Sequence, residues 1–212
     1  ELAVVEQEAQ LAAIEGVSFF VPDFMKQIVA ELTFQARSSP DVSHASGVSV
    51  RMTISNYETL AANALRRALR HGDGQAVPRI SDMRALRAST RGKIEFEYAA
   101  SNRNEDEILE ELSKRATKVV FDAVAGDLGV YKPIVDAFDK GWMVEVTDMT
   151  SAKEFVAGMD KIEGLRAAAL KLSGGDSAPR IASAIELILE GLHLSNKLNK
   201  TSSERGVMYG NK

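Results

Sequence analysis

Apolar residues recur at helical spacing along most of this chain. Residues 1–15 set Leu2, Val5, Ala9, Ala12 and Ala13 among Glu and Gln, a period that predicts a helix ended by Gly16. Pro22 and Asp23 open a second helix, with Pro in the first turn, where its missing N–H costs nothing. Its apolar face is Phe24, Met25, Ile28, Val29, Leu32 and Ala36, and Ser38-Ser39-Pro40 stops it. A polar, Gly-containing loop covers Ser43 to Ser49. The next helix has two candidate caps. Ser55 with Glu58 has the capping-box spacing, but a start at Ser49 puts Val50, Ile54, Tyr57, Ala61, Ala64 and Ala68 on one face and is preferred. Gly72 and Gly74 end it, and a third helix is expected from about Ile80 to Arg91.

The period then changes to two. Ile94, Phe96 and Tyr98 alternate with Lys93, Glu95 and Glu97, which predicts a short strand. Residues 99–106 are small and polar, the best place for a domain boundary. Ile108, Leu109, Leu112, Ala116, Val119 and Val120 make a strongly periodic helix, and a short one is expected from Tyr131 to Asp139. Trp142, Val144 and Val146 alternate again, and pairing of the two strand candidates would tie the halves together. Two helices fit residues 151–172. After the Gly174-Gly175 break, Ser177 and Pro179 start a last long helix, with Ile181, Ile185, Ile188, Leu189, Leu192 and Leu198 inward. The tail beyond Lys200 is polar and expected to fray. The fold class is therefore mostly α, with one small two-stranded β element if the candidates pair. No repeat at a solenoid period is present.

Composition narrows the setting. The 212 residues make one or two domains with a real core. A net charge of −4 argues against a chain that binds nucleic acid over its whole surface. The absence of cysteine excludes disulfides and thiolate metal sites and fits the cytoplasm, the expected location. No apolar run reaches membrane-spanning length, and Glu1-Leu2-Ala3-Val4 carries neither Met nor a signal-peptide pattern, which fits a fragment.

Gly47-Val48-Ser49-Val50-Arg51 reads G-x-S-x-R at the entry to a long helix. With the helix before it, the Gly break after it and Val77-Pro78-Arg79-Ile80-Ser81-Asp82 opening another helix, residues 17–92 resemble the helical lid of AAA+ ATPases. The branch it resembles is that of magnesium-chelatase ATPase subunits and MoxR-type ATPases. The resemblance implies that ATP, with Mg2+, binds between an αβ core and this lid, and that Arg51 reaches the terminal phosphates. A planar, permanently charged guanidinium suits phosphate oxygens. Loss of the γ-phosphate would remove its partner and release the lid. Such a contact is worth about 1.5–3 kcal/mol net, enough to bias a lid between two positions. Taken alone, Arg51 is an exposed arginine near a helix start, and the order of the surrounding elements is what favours the sensor role. The family's third lid helix opens with a T-P-E-D-type start. Here Arg79 stands where a small capping residue is expected. It is a weaker second candidate for a phosphate or neighbour-subunit contact, against the plainer reading of a surface arginine packing its stem.

No G-x-x-x-x-G-K-[ST] phosphate loop lies anywhere in the chain. The resemblance thus divides it into a lid-like helical domain, residues 1–98, and a helical C-terminal extension, residues 99–212, cut away from their motor. No catalytic residue is expected in it. ATP and Mg2+ belong to the parent protein, and neither is expected to bind tightly here. The implied partners are the AAA+ core of the same chain, neighbouring subunits of a ring, and a protein carrying a von Willebrand factor A-type domain. Nothing in these residues recognises a porphyrin.

Other chemistry is thin. Residues 66–93 are locally basic through Arg66, Arg67, Arg70, His71, Arg79, Arg84, Arg87, Arg91 and Lys93. The charge suits nucleotide or an acidic neighbouring subunit, a DNA-binding bundle, or a plain solvated face. Overall acidity and few aromatics argue against DNA. His44, His71 and His193 are far apart, with no second ligand at metal spacing. Val119-Val120-Phe121-Asp122 mimics a Mg2+-binding strand but lies in a helical repeat and reads as core. Glu190 to Lys200 reads as a C-terminal helix covering the core, with a docking surface as the alternative. Two further readings of the whole stand beside the lid: a stand-alone helical interaction module, and a DNA-binding regulator.

Overall fold

The structure, a computed structural model, describes residues 1–43, 47–97, 103–203 and 206–212. Helix α1 (Leu2–Glu8) is shorter than its predicted segment, because only Val5 reaches the core and nothing anchors a longer helix. The chain reverses at Gly16, in the left-handed region at φ 81°, where Ile14 bridges Val17. Strand β1 (Ser18–Phe19) leads into α2 (Asp23–Ser38), which buries its whole predicted face. Helix α3 (Val50–His71) takes the earlier of its two starts and ends at Gly72, left-handed at φ 70°. Strand β2 (Gln75–Ala76) lies parallel to β1, Ser18 opposite Gln75 and Phe19 opposite Ala76. Two residues are too few to show a period, so this pair left no mark in the sequence.

The expected helix from Ile80 to Arg91 is two pieces. Ile80–Ala85 is a 3₁₀ turn and α4 runs from Leu86 to Thr90. Asp82 turns inward within the turn, at 2% exposure. The expected strand does not form over the described residues 94–97. Ile94 and Phe96 make isolated bridges to Arg91 and Val42, and Glu95 and Glu97 bond the backbone of Ser43 and Asp41. Tyr98 and the start of the expected boundary at 99–106 lie outside the described residues.

Asn104 caps α5 (Glu105–Ala125) in a reciprocal box with Glu107, at 2.9 and 3.1 Å. A 3₁₀ turn, Leu128–Tyr131, precedes α6 (Lys132–Asp139), and β3 (Val144–Thr147) follows. Then come α7 (Ala152–Met159), α8 (Leu165–Leu172) and α9 (Ala178–Leu194). The sequence marks one inward stripe on α9, but every residue from Ile181 to Leu192 is buried. This helix is the axis of the fold, enclosed by α5, α7, α8 and the first 3₁₀ turn. One apolar cluster joins α2, α5 and α9, so residues before and after the expected boundary share a core. The fold is mostly α.

The tail does not fray. Strands β4 (Asn199–Ser202) and β5 (Gly206–Gly210) form a hairpin, and β5 also pairs with β3, giving the antiparallel order β3-β5-β4. Val207 and Tyr209 alternate inward and are buried, which replaces the expected pairing of residues 94–98 with 142–146. Among the described residues no helix is long and apolar enough to cross a membrane.

Gly158 tests the helical reading of α7. It is exposed, and a Cβ there meets nothing within 4 Å. Gly158→Ala is expected to stabilise the protein by about 0.5–1 kcal/mol, seen as a higher urea midpoint at unchanged slope.

Candidate functional site

The Arg51 turn is held from three sides. Gly47 takes φ 66°, a conformation that L side chains rarely adopt, and brings the loop to Ser49. The Ser49 hydroxyl accepts the Arg51 N–H at 3.2 Å as the N-cap of α3. The Arg37 guanidinium donates through Nε to the Val48 carbonyl at 3.0 Å and pairs with Glu1. Glu1 also accepts the Thr53 hydroxyl at 2.8 Å, and Thr53 meets Thr33 at 2.8 Å. Arg51 itself is exposed, and its side chain has no protein partner among the described residues. A charged fork is thus presented to solvent from an anchored backbone. His44, in the same loop, lies outside the described residues.

Arg79 is elsewhere. It is 2% exposed, so the sequence reading of a surface arginine does not hold, and its guanidinium cannot face a ligand outside the protein. It lies in a buried set of charges under α9. Arg79 Nη1 stands 3.6 Å from Glu186 Oε1, and its guanidinium lies 5.8 Å from the Phe155 ring centre. Glu186 Oε2 accepts the Ser81 N–H at 2.8 Å, while Glu186 Oε1 and Arg79 Nε make no hydrogen bond. Beside them, Asp82 pairs with Arg67, accepts Asn63 Nδ2 at 2.6 Å and accepts the Arg79 N–H at 2.8 Å. Arg67 also donates to the Val77 carbonyl at 2.6 Å. Burial lowers the proton affinity of Arg79, with Arg67 adding to the effect, and burial raises that of Glu186 against the pull of Arg79.

A cleft of about 840 Å³ opens above this set, between the first 3₁₀ turn, α5, α9 and the sheet. Glu186 and Glu190 line its floor. Glu190 accepts Lys200 Nζ at 2.6 Å and the Tyr209 hydroxyl, whose proton is held more tightly than usual by burial and then by Glu190. The locally basic stretch is largely matched within the chain. Arg70 pairs with Asp148, Arg87 with Glu110, and Arg91 with Asp106 and Glu105. This leaves little of the charge that a DNA-binding face requires.

The sequence reading missed the buried set. Its signal was present, because Glu186 and Glu190 are one turn apart inside an otherwise apolar run, and buried carboxylates need partners. Glu190 to Lys200 is not one helix: α9 stops at Leu194, and the rest leads into β4. His71 and His193 bond backbone carbonyls, of Asp148 and Leu198, and no metal-binding cluster of carboxylates and histidines occurs among the described residues. Comparison with known protein families, with curated proteins and with solved structures finds no match to this chain.

Proposed function

We propose that this chain is the lid and C-terminal extension of an AAA+ ATPase of the magnesium-chelatase and MoxR kind, and that Arg51 senses bound ATP. The observation that carries the reading is the state of Arg51. It is exposed, without a protein partner among the described residues, on a turn that Ser49, Arg37 and Gly47 hold in place. A surface arginine with no role does not require such anchoring, whereas a phosphate sensor does, because its fork must meet the γ-phosphate at a fixed distance. ATP and Mg2+ are then ligands of the parent protein, held between its αβ core and this lid. Hydrolysis releases Arg51 and moves the lid, and the ring passes that motion to a partner, of which a von Willebrand factor A-type domain is the expected kind. Arg79 has no part in this reading.

The test is the MgATPase turnover of the natural full-length protein, wild type against Arg51→Ala. Loss of one charge-assisted contact is expected to lower turnover about tenfold or more, with the melting temperature unchanged. Unchanged turnover would remove Arg51 from the nucleotide site and leave a helical interaction module.

A further inference from the structure

The cleft meets the inner face of the sheet, with Val146 and Thr147 of β3 and Val207 and Tyr209 of β5 in its lining. That lining carries five carboxylates and five cations, so its charges balance. Most of them answer one another or a neighbour beneath. Asp82 pairs with Arg67, Glu186 with Arg79, Asp148 with Arg70 and Glu190 with Lys200. Glu110 takes Arg87 at 3.1 Å and Lys114 at 2.7 Å, and Arg66 donates to Asn63 Oδ1 at 2.7 Å. One carboxylate oxygen and one guanidinium stay open within this pattern.

The carboxylate is that of Glu190. It is 4% exposed, and both of its hydrogen bonds, from Lys200 Nζ at 2.6 Å and from the Tyr209 hydroxyl, fall on Oε2. Oε1 takes none among the described residues, and unlike Glu186 Oε1 it is not shut off from solvent. Glu190 thus offers the cleft an acceptor already oriented by two donors on its other oxygen. The guanidinium is that of Arg84, which is exposed and whose side chain has no partner among the described residues. The two act on the same group. Burial and Glu190 hold the Tyr209 proton tighter than usual and Arg84 works against them, so the guanidinium lies within electrostatic reach of the hydroxyl that bonds Glu190.

We propose that the cleft binds a small zwitterion, a free amino acid or a short peptide, with its ammonium on Glu190 Oε1 and its carboxylate on Arg84. An ammonium completes an acceptor that the fold leaves without a donor, and a carboxylate matches the planar fork of an unpaired arginine. A ligand of no net charge suits a lining whose own charges balance, whereas a cation or an anion alone would leave one of the two groups unanswered. The volume, about 840 Å³, falls within the range of small-molecule sites, about 300–1,000 Å³, and leaves room for further residues between the two ends. Thr201 of β4 and Ser113 of α5, whose hydroxyl proton goes to the Leu109 carbonyl, line the same space and can accept the N–H groups of a longer ligand. The inference does not depend on the lid reading.

The test is a saturation-transfer NMR titration of this protein with L-alanine and its di-, tri- and tetrapeptide. Saturable binding of at least one member is expected, and the tightest names the ligand: alanine a free amino acid, a longer member a short peptide. The N-acetyl form and the C-terminal amide of that member are each expected to bind about tenfold or more weakly, since each lacks one charged end. Arg84→Gln is expected to weaken the zwitterion by a similar factor with the melting temperature kept, and to leave the C-terminal amide unaffected. Glu190→Gln is expected to do the same for the ammonium, leaving the N-acetyl form unaffected. Should Glu190→Gln unfold the protein, the blocked ligands and Arg84→Gln decide. Arg87→Gln, whose guanidinium Glu110 already answers, is expected to change binding by no more than about twofold. No saturable binding of any member overturns the proposal. So does equal binding of either blocked form, which would make the cleft a site for an anion or a cation alone. An equal loss from Arg84→Gln and Arg87→Gln overturns it as well, since the effect would then be one of general charge.

Discussion

Asp82→Ala is expected to destabilise this protein by about 3–5 kcal/mol, read as a lower urea midpoint at unchanged slope. The side chain is inside, and its carboxylate serves three donors at once: the Arg67 guanidinium, Asn63 Nδ2 at 2.6 Å and the Arg79 N–H at 2.8 Å. Burial works against the charge on Arg67, but Asp82, with help from Glu186, more than offsets it and holds the proton tighter than usual. Without Asp82, Arg67 is a buried cation whose remaining hydrogen bond is to the neutral Val77 carbonyl. The cost comes from the stranded partner more than from the lost pair, and this separates two outcomes. The double variant Arg67→Met with Asp82→Leu strands no charge between those two positions. It is expected to lose clearly less stability than Asp82→Ala alone. If the double variant is as unstable as the single, the Arg67–Asp82 pair is not the source of the loss.

The four long helices were legible because each carries its own evidence. The faces of α2, α3 and α5 repeat every three or four residues, and Ser49 and Asn104 mark starts that hydrogen bonds then occupy. That Arg51 lies in the first turn of α3 was legible for the same reason, since it depends on neighbours within a few residues. The position of Arg79 was not, because it depends on Glu186. The Ser81–Glu186 bond that joins the same two segments spans 105 residues of sequence. An arginine's spacing does not say whether it points in or out when its counter-charge is that far away. The tail sheet failed differently. Val207-Met208-Tyr209 does alternate, but its partner is Val144 to Thr147, and a short polar tail gives no sign of which strand it will meet. Glu95 and Glu97 show the converse, a clear alternation whose backbone bonds go to Ser43 and Asp41 in place of a second strand. Local capping and periodicity are therefore readable, and long-range pairing of charges and of strand edges is not. That pairing is what builds both the buried set and the cleft above it.

Gly191→Ala is expected to cost about 3 kcal/mol, although alanine is worth about 1 kcal/mol more than glycine inside an ordinary helix. Gly191 lies in α9 where the Phe121 ring of α5 rests on the helix, and a Cβ would fall 2.2 Å from that ring. The ring has little room to withdraw, being fully buried with Tyr131 at 5.9 Å between ring centres. The added methyl must therefore push α5 and α9 apart, and closely packed cores resist such a shift. Gly158→Ala supplies the reference, the same substitution in α7 with open space above it. Opposite signs for the two variants would attribute the loss to the Phe121 contact and not to the exchange of glycine for alanine. Phe121→Leu placed on Gly191→Ala is expected to return part of the stability, whereas on the wild-type background it should destabilise by leaving a void.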